Sequence, residues 1–285
     1  MRHIATSTLG TLAALALAAP LAGQTTAPPA APAPVKLWRL DCGSVVANNL
    51  NVFSDTQAYT GQSKRLTSSC YLIQHGADYL LWDTGLPAAL KGAAIDPKAP
   101  IAATVTKTVV EQLAELGVQP DAVKMVGISH YHYDHIGQAG SFPAATLMIG
   151  KGDFDALKAG APGTNPAPVA NWITGTGKAE PISGDKDVFG DGSVVMLNLP
   201  GHTPGHHGLL VRLAGGKRFL LTGDLSHFQE NYDSDGVPTF NTDRADTLAS
   251  IHRFKAMAKN LKATVIIQHE PADIAKLPAF PRAAE

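Results

Sequence analysis

The sequence predicts an α/β fold in which two layers of strands face each other and helices cover both outer sides, an αββα sandwich. Three observations predict it. Short apolar runs bounded by Gly or Asp turn signals recur over residues 37–86 and again over 193–222. Each group of runs is followed by a segment with apolar residues at helical spacing, at 104–116 and 244–260. No internal repeat of solenoid period competes with this reading.

The 285 residues are 45% hydrophobic and carry 23 Lys plus Arg against 24 Asp plus Glu, a formal charge of −1. That composition suits one large globular domain and offers no basic surface to nucleic acid. A small, weakly charged or apolar substrate is easily accommodated. At the N-terminus Arg2 and His3 precede the apolar run Leu9 to Ala19, and Ala18, Ala19, Ala22 and Gly23 offer cleavage points. Residues 1–23 therefore read as an export signal whose apolar run is too short for a permanent membrane anchor. Residues 24–35, containing TTAPPAAPAP, form a Pro/Ala-rich linker that cannot pack a core, which leaves 36–285 as the folded domain. The expected location is the periplasm or the medium. Export would let a Cys42–Cys70 disulfide persist, although two buried free thiols fit the sequence equally well.

WRLDCG (38–43), SCYLIQHG (69–76) and DYLLWDTG (78–85) read as an antiparallel β start. TVTKTVVEQLAEL (104–116) reads as a helix stopped at Gly117. KMVGIS (124–129) is a short buried strand whose C-terminal end delivers a histidine cluster. Residues 151–187, with KAGAPGTNPAPVANWITGTG inside them, read as a long ordered loop or lid, the kind of segment that is usually functional. Strands follow at 193–199, 209–213 and 218–222. A helix over 244–260 places Leu248, Ile251, Phe254 and Ala258 on one side, and TVIIQ (264–268) is a last strand ending at His269.

The cluster is His130-Tyr131-His132-Tyr133-Asp134-His135. On an extended stretch His130 and His132 point the same way, while Asp134 and His135 in the following turn face a second point nearby. An isolated histidine is usually satisfied by hydrogen bonds on a strand edge, but four ligand-type residues within six build two adjacent metal sites. Imidazole and carboxylate donors suit two divalent ions, zinc first, with iron, manganese and cobalt compatible. His202 sits in Pro200-Gly201-His202-Thr203-Pro204-Gly205-His206, a turn that can hold an imidazole toward the centre. Asp224 ends the run Leu220-Leu221-Thr222-Gly223-Asp224, and His269 ends the final strand. Alone, either would be a cap or a surface residue; at strand ends in a chain that already has a site, both become candidate ligands.

With these residues the chain resembles the metallo-β-lactamase superfamily and, within it, the N-acyl homoserine lactonases. The resemblance covers Leu37 to the C-terminus and is carried by His-x-His-x-Asp-His, Gly-His-Thr-Pro-Gly-His, Gly-Asp and a late His. It implies that His130, His132 and His202 hold one ion, that Asp134, His135 and His269 hold the other, and that Asp224 bridges them. Asp83 would orient a ligand histidine. The lactonase likeness rests on Glu230-Asn231-Tyr232, on Ser250-Ile251-His252-Arg253-Phe254 and on the His-acidic pair at the end of the last strand. The implied activity is metal-dependent opening of the lactone ring of N-acyl homoserine lactones, a quorum-quenching hydrolysis in which Asp134 or Asp224 shuttles the proton. One departure stands out: lactonases of this kind place a tyrosine three residues after the bridging aspartate, and here that residue is His227. His227 or Tyr232 is then the expected donor to the substrate carbonyl. The acyl chain is expected against Ile173 to Val188, Phe228 and Phe240.

Rival activities share much of this pattern. Gly223-Asp224 argues against a β-lactamase, whereas an organophosphate triesterase shares the full ligand set. Glyoxalase II shares it too, but export and the lack of a C-terminal basic cluster for glutathione oppose it. A non-catalytic metal-binding protein would need such ligands only for folding. The expected partner is a small molecule, an acyl lactone or related ester, with no nucleic acid and no membrane anchor once the signal is removed; a homodimer is compatible with the sequence.

Overall fold

A computed structural model describes Met1, His3 and residues 33–285. The export signal expected over 1–23 and most of the linker expected over 24–35 lie outside the described residues. Strand β1 (Val35–Ala47) opens one residue before the expected domain start and pairs antiparallel with β2 (Lys64–His75), which pairs antiparallel with β3 (Asp78–Trp82), as the sequence predicts. Next come β4 (Ile101–Thr104), α1 (Val109–Glu115), β5 (Val123–Ile128), α2 (Tyr133–Ile136), β6 (Thr146–Gly150), α3 (Lys151–Ala159), α4 (Ala170–Ile173) and β7 (Ala179–Ile182). A second group follows: β8 (Lys186–Asp187), β9 (Val194–Asn198), β10 (His207–Arg212), β11 (Arg218–Leu221), α5 (Gln229–Ser234), α6 (Arg244–Leu261) and β12 (Thr264–Ile266).

Among the described residues the strands make two sheets, ordered β4-β1-β2-β3-β5-β6-β7 and β12-β11-β10-β9-β8. Side chains alternate across each strand, and both faces are apolar because both are covered. Ile73, Leu80, Trp82 and Met148 turn inward to meet Met196, Leu209, Val211 and Leu221 of the other sheet. Their neighbours Leu72, Leu81, Leu147 and Ile149 turn outward onto Val109, Leu113, Leu157 and Trp172 of the first sheet's helices. On the opposite outer side Leu197, Leu199, Leu210 and Leu220 pack on Ile251 and Phe254 of α6. The αββα expectation is therefore met.

Two expectations need correction. The helix expected from Thr104 begins only at Val109, because Ile101–Thr104 is drawn into edge pairing with β1. Thr108 sets the true start: its hydroxyl accepts from the Glu111 N–H while the Glu111 carboxylate accepts from the Thr108 N–H, a capping box. The long loop or lid expected over 151–187 is instead mostly regular structure, with α3 and α4 on the outer side of the first sheet, β7 at its edge and β8 at the edge of the second. Its Leu157 and Trp172 are core residues, and the Trp172 indole donates to the Ala145 carbonyl at 2.9 Å. Burial of those apolar side chains outweighs the Gly and Pro signals between them. Cys42 and Cys70 form a disulfide, with Cα atoms 5.7 Å apart.

Candidate metal centre

Every candidate ligand sits where a strand hands over to a turn. His130 and His132 follow β5, and Asp134 and His135 lie in α2 directly behind them. His202 occupies the turn between β9 and β10, Asp224 follows β11, and His269 follows β12. The ligand atoms converge as two groups, His130, His132, His202 and Asp224 in one and Asp134, His135 and His269 in the other, each with its atoms within 4.8 Å of one another. Asp224 also reaches the second group, with Oδ1 3.2 Å from His135 Nε2 and 2.9 Å from His269 Nε2.

The hydrogen bonds behind the ligands decide which nitrogen carries the proton. Asp83 accepts from the Ser129 N–H at 2.7 Å and the Ser129 hydroxyl at 2.9 Å, and its Oδ2 lies 2.9 Å from His135 Nδ1. His135 therefore carries its proton on Nδ1, and Asp83 performs the orienting role the sequence expected of it. His269 Nδ1 likewise donates to the Thr67 carbonyl at 2.8 Å. Both Nε2 atoms converge on Asp224 Oδ1 in a buried site. In the first group His130 Nε2 and His202 Nε2 lie 2.9 and 3.0 Å from the same His132 Nδ1. Among the described residues, His135 Nε2 and Asp224 Oδ1 are buried without a hydrogen-bond donor or acceptor to answer them. Converging lone pairs from histidines and carboxylates fit two divalent cations.

The electrostatics divide the ligands: burial works against charge on His135 and His269, but the Asp224 carboxylate and its acidic neighbours outweigh it and raise both, His135 well above the usual histidine range. Burial pushes His132 down to about 4, and it pushes His130 and His202 well below the usual histidine range, with neighbouring histidines adding to the effect. These rings stay neutral and keep their lone pairs. Burial opposes ionisation of Asp224, but His269, His135, His227 and His130 around it hold its carboxyl well below the usual range. His206 supports Asp224 from behind: its Nδ1 donates to the Leu199 carbonyl at 2.9 Å, so its Nε2 accepts the Asp224 N–H at 3.0 Å.

His132, Asp134, Asp224 and His269 of the two groups form the floor of a cavity of about 280 Å³ walled by Val45, Phe53, Leu66, Ile101, Tyr133 and Phe240. His227 lies on this floor, 3.2 Å from Asp224 Oδ2, with its ring edge-on to Phe53 and stacked on His269. Of the expected acyl-chain residues only Phe240 lines the cavity. Phe228 is fully buried beneath Phe53 and Tyr59, and Ile173 and Val188 pack into the cores on either side of the first sheet. Tyr232 is not brought to the site either; α5 turns its ring onto Phe254, with Lys255 Nζ 4.8 Å above it. Sequence reasoning passed over Tyr133, an exposed wall residue whose position inside the histidine cluster was the available signal.

Known proteins match this arrangement. Residues 64–269 match the metallo-beta-lactamase superfamily. The N-acyl homoserine lactonase AttM of Rhizobium radiobacter is 32% identical over 189 residues, 60% of this chain and 68% of that protein. The N-acyl homoserine lactonase AiiA of Bacillus thuringiensis subsp. kurstaki is 26% identical over 242 residues, 82% of this chain and 93% of that one. The solved structure of a quorum-quenching N-acyl homoserine lactone hydrolase aligns with a TM-score of 0.76 at 25% identity, covering 88% of this chain and 99% of the other. AidC, a dizinc quorum-quenching lactonase, shares the fold with a TM-score of 0.65 at 18% identity, over 89% and 90% of the two chains. The matched segment runs from β2 to His269 and so encloses every converging ligand, and on that match and the two-sheet sandwich the chain belongs to the metallo-β-lactamase superfamily.

Proposed function

We propose that this chain is a two-metal hydrolase that opens the lactone ring of N-acyl homoserine lactones, with zinc in both sites and export to the periplasm or beyond. The observation that carries the reading is the convergence of two ligand groups on Asp224 at the floor of an apolar cavity. Likeness to proteins named as lactonases supports the substrate, and the dizinc relative supports the metal. The Cys42–Cys70 bridge supports export, since disulfides persist in oxidising compartments. No described helix is long and apolar enough to cross a membrane.

Two divalent ions held there would supply Lewis acidity and an ionised water at near-neutral pH. His130, His132 and His202 would hold one, Asp134, His135 and His269 the other, and Asp224 both. The chain's own groups do the rest. His227 lines the cavity beside Asp224 and would donate a hydrogen bond to the lactone carbonyl oxygen, a bond that strengthens as negative charge develops there. Asp134, whose side chain keeps 13% of its surface exposed, is placed to take the released proton and pass it to solvent. Val45, Phe53, Leu66, Ile101 and Phe240 would exclude water and receive the acyl chain.

A hydrolysis panel on the zinc-loaded protein tests the reading: acyl homoserine lactones, a cephalosporin, a phosphotriester and S-lactoylglutathione. The expected result is fastest turnover of an acyl homoserine lactone, with a mass gain of one water, no free fatty acid and a product that recloses on acidification. A phosphotriester or cephalosporin turned over faster than every acyl homoserine lactone would overturn the substrate and leave the hydrolase.

A further inference from the structure

One fully buried carboxylate lies behind the ligands and takes no part in the chemistry above. Asp153 stands in the first turn of α3, and its side chain meets three hydrogen-bond donors. Its Oδ2 accepts from the Tyr131 N–H at 3.1 Å and from the Thr203 hydroxyl at 2.8 Å, and its Oδ1 accepts from the Gly205 N–H at 2.6 Å. Tyr131 lies between His130 and His132, while Thr203 and Gly205 lie directly beyond His202. The three donors thus belong to the two separate loops that supply the three histidines of the first group.

The packing leaves these loops little room to adjust. A Cβ placed on Gly205 would lie 2.4 Å from the Asp153 backbone nitrogen, and one on Gly150 would lie 1.8 Å from the Gly205 carbonyl oxygen. Backbone meets backbone here, and the Asp153 carboxylate fills the remaining gap. A backbone N–H on each oxygen, with the Thr203 hydroxyl beside them, matches an ionised carboxylate, whereas an amide would turn its NH2 against the Tyr131 or the Gly205 N–H. Burial works against that ionisation and pushes Asp153 up to about 7, so the group is held at an energetic disadvantage that a purely apolar side chain would avoid.

We propose that Asp153 is a positioning residue: its carboxylate ties the His130/His132 loop to the His202 turn and so fixes the spacing of the three-histidine metal site. The proposal rests on the two-metal reading of the centre. The second group, Asp134, His135 and His269, has Asp83 and Thr67 as its own braces, so the influence of Asp153 falls mainly on the three-histidine ion.

The test compares wild type with Asp153→Asn, both loaded with zinc, by metal content, by rate of zinc release to a chelator, and by visible absorption after cobalt substitution. Asp153→Asn should fold, with an unchanged far-ultraviolet circular dichroism spectrum, and should release one of its two ions about 10–100-fold faster than wild type, the range found for groups that orient metal ligands. The other ion should leave at its wild-type rate, and the cobalt spectrum should change. Thr203→Val and Thr203→Ser cover the event that Asp153→Asn does not fold. Valine removes one donor and should speed release of the same ion, whereas serine keeps the hydroxyl and should restore the wild-type rate. Unchanged release from Asp153→Asn, or from Thr203→Val in its place, would overturn the proposal, as would equal acceleration of both ions. A wild type that binds fewer than two ions would instead strike down the two-metal reading, and the proposal with it.

Discussion

Removal of the Cys42–Cys70 bridge should lower the melting temperature of the protein by an amount its geometry fixes. Pairing between β1 and β2 shifts between Asp41 and Ser44, where Cys42 and Gly43 oppose Ser68 alone, and this bulge brings Cys42 within reach of Cys70. The cysteines are 28 residues apart, and closing a loop of that length removes unfolded-state entropy worth about 3.6 kcal/mol at 25 °C. In a domain of this size each kcal/mol moves the melting temperature by about 2–4 °C, so Cys42→Ala/Cys70→Ala should melt about 7–14 °C below wild type. Both sulfurs are buried between the first sheet and its helices, and deleting them adds a cavity of the same sign. Wild type reduced to free thiols is therefore the control that isolates the bridge. Calorimetry of all three proteins at one fixed zinc concentration makes the comparison. Reduced and doubly substituted proteins that both melt within about 2 °C of the oxidised wild type would refute the reasoning.

Other outcomes follow from the centre itself. Elemental analysis of the purified protein should find close to two metal ions per chain, and one or none after metal supplementation would contradict the two groups. Asp224→Ala should lose most hydrolysis while keeping the fold, because a ligand shared by both groups shapes the reacting site more than the core; near-normal turnover in the folded variant would remove Asp224 from it. His227→Ala should lower kcat and kcat/KM together by about 100-fold, as expected for a hydrogen bond that strengthens on the developing charge, and a change in KM alone would reassign His227 to ground-state binding. Burial pushes His206 down to about 3, so it stays neutral in the fold but protonates near 6.5 once unfolded. Its contribution to stability is complete above that unfolded value and is lost as pH falls from there toward the folded one. Between pH 7 and pH 5 wild type should then lose about 2 kcal/mol more than His206→Gln in urea titrations, and equal losses would count against a neutral His206.

How legible the centre was depended on how far apart in sequence its parts lie. His130, His132, Asp134 and His135 are adjacent in sequence and carry their spacing with them, and Asp224 and His269 declared themselves by arriving at strand ends. Asp153 gave no comparable signal: one of two aspartates in KGDFDALKA, in a stretch that reads as loop or lid, it looks like a solvated carboxylate until the fold brings Thr203 and Gly205 against it. The cavity wall was equally hidden, since Val45, Leu66 and Ile101 look like ordinary strand residues and only their place beside the cluster makes them a wall. For the fold, the central strands were plain because burial on both faces makes them continuous apolar runs. Edge strands such as Ile101–Thr104 and Ala179–Ile182 are short and take their conformation from a neighbour's unpaired backbone, which a local reading does not contain.

The division of ligands between the sheets has a mechanical meaning. His130, His132, Asp134 and His135 come from the first sheet's side of the chain, His202, Asp224 and His269 from the second's, and each group draws on both. Each bound ion is therefore a rivet through the seam of the sandwich. At a free metal concentration 100 times its dissociation constant, one such ion adds about 2.7 kcal/mol against separation of the layers. A chain cut between Ser183 and Gly184, in the link between β7 and β8, would yield two pieces, neither holding a complete site, and metal would then become the agent that tells them to reassemble.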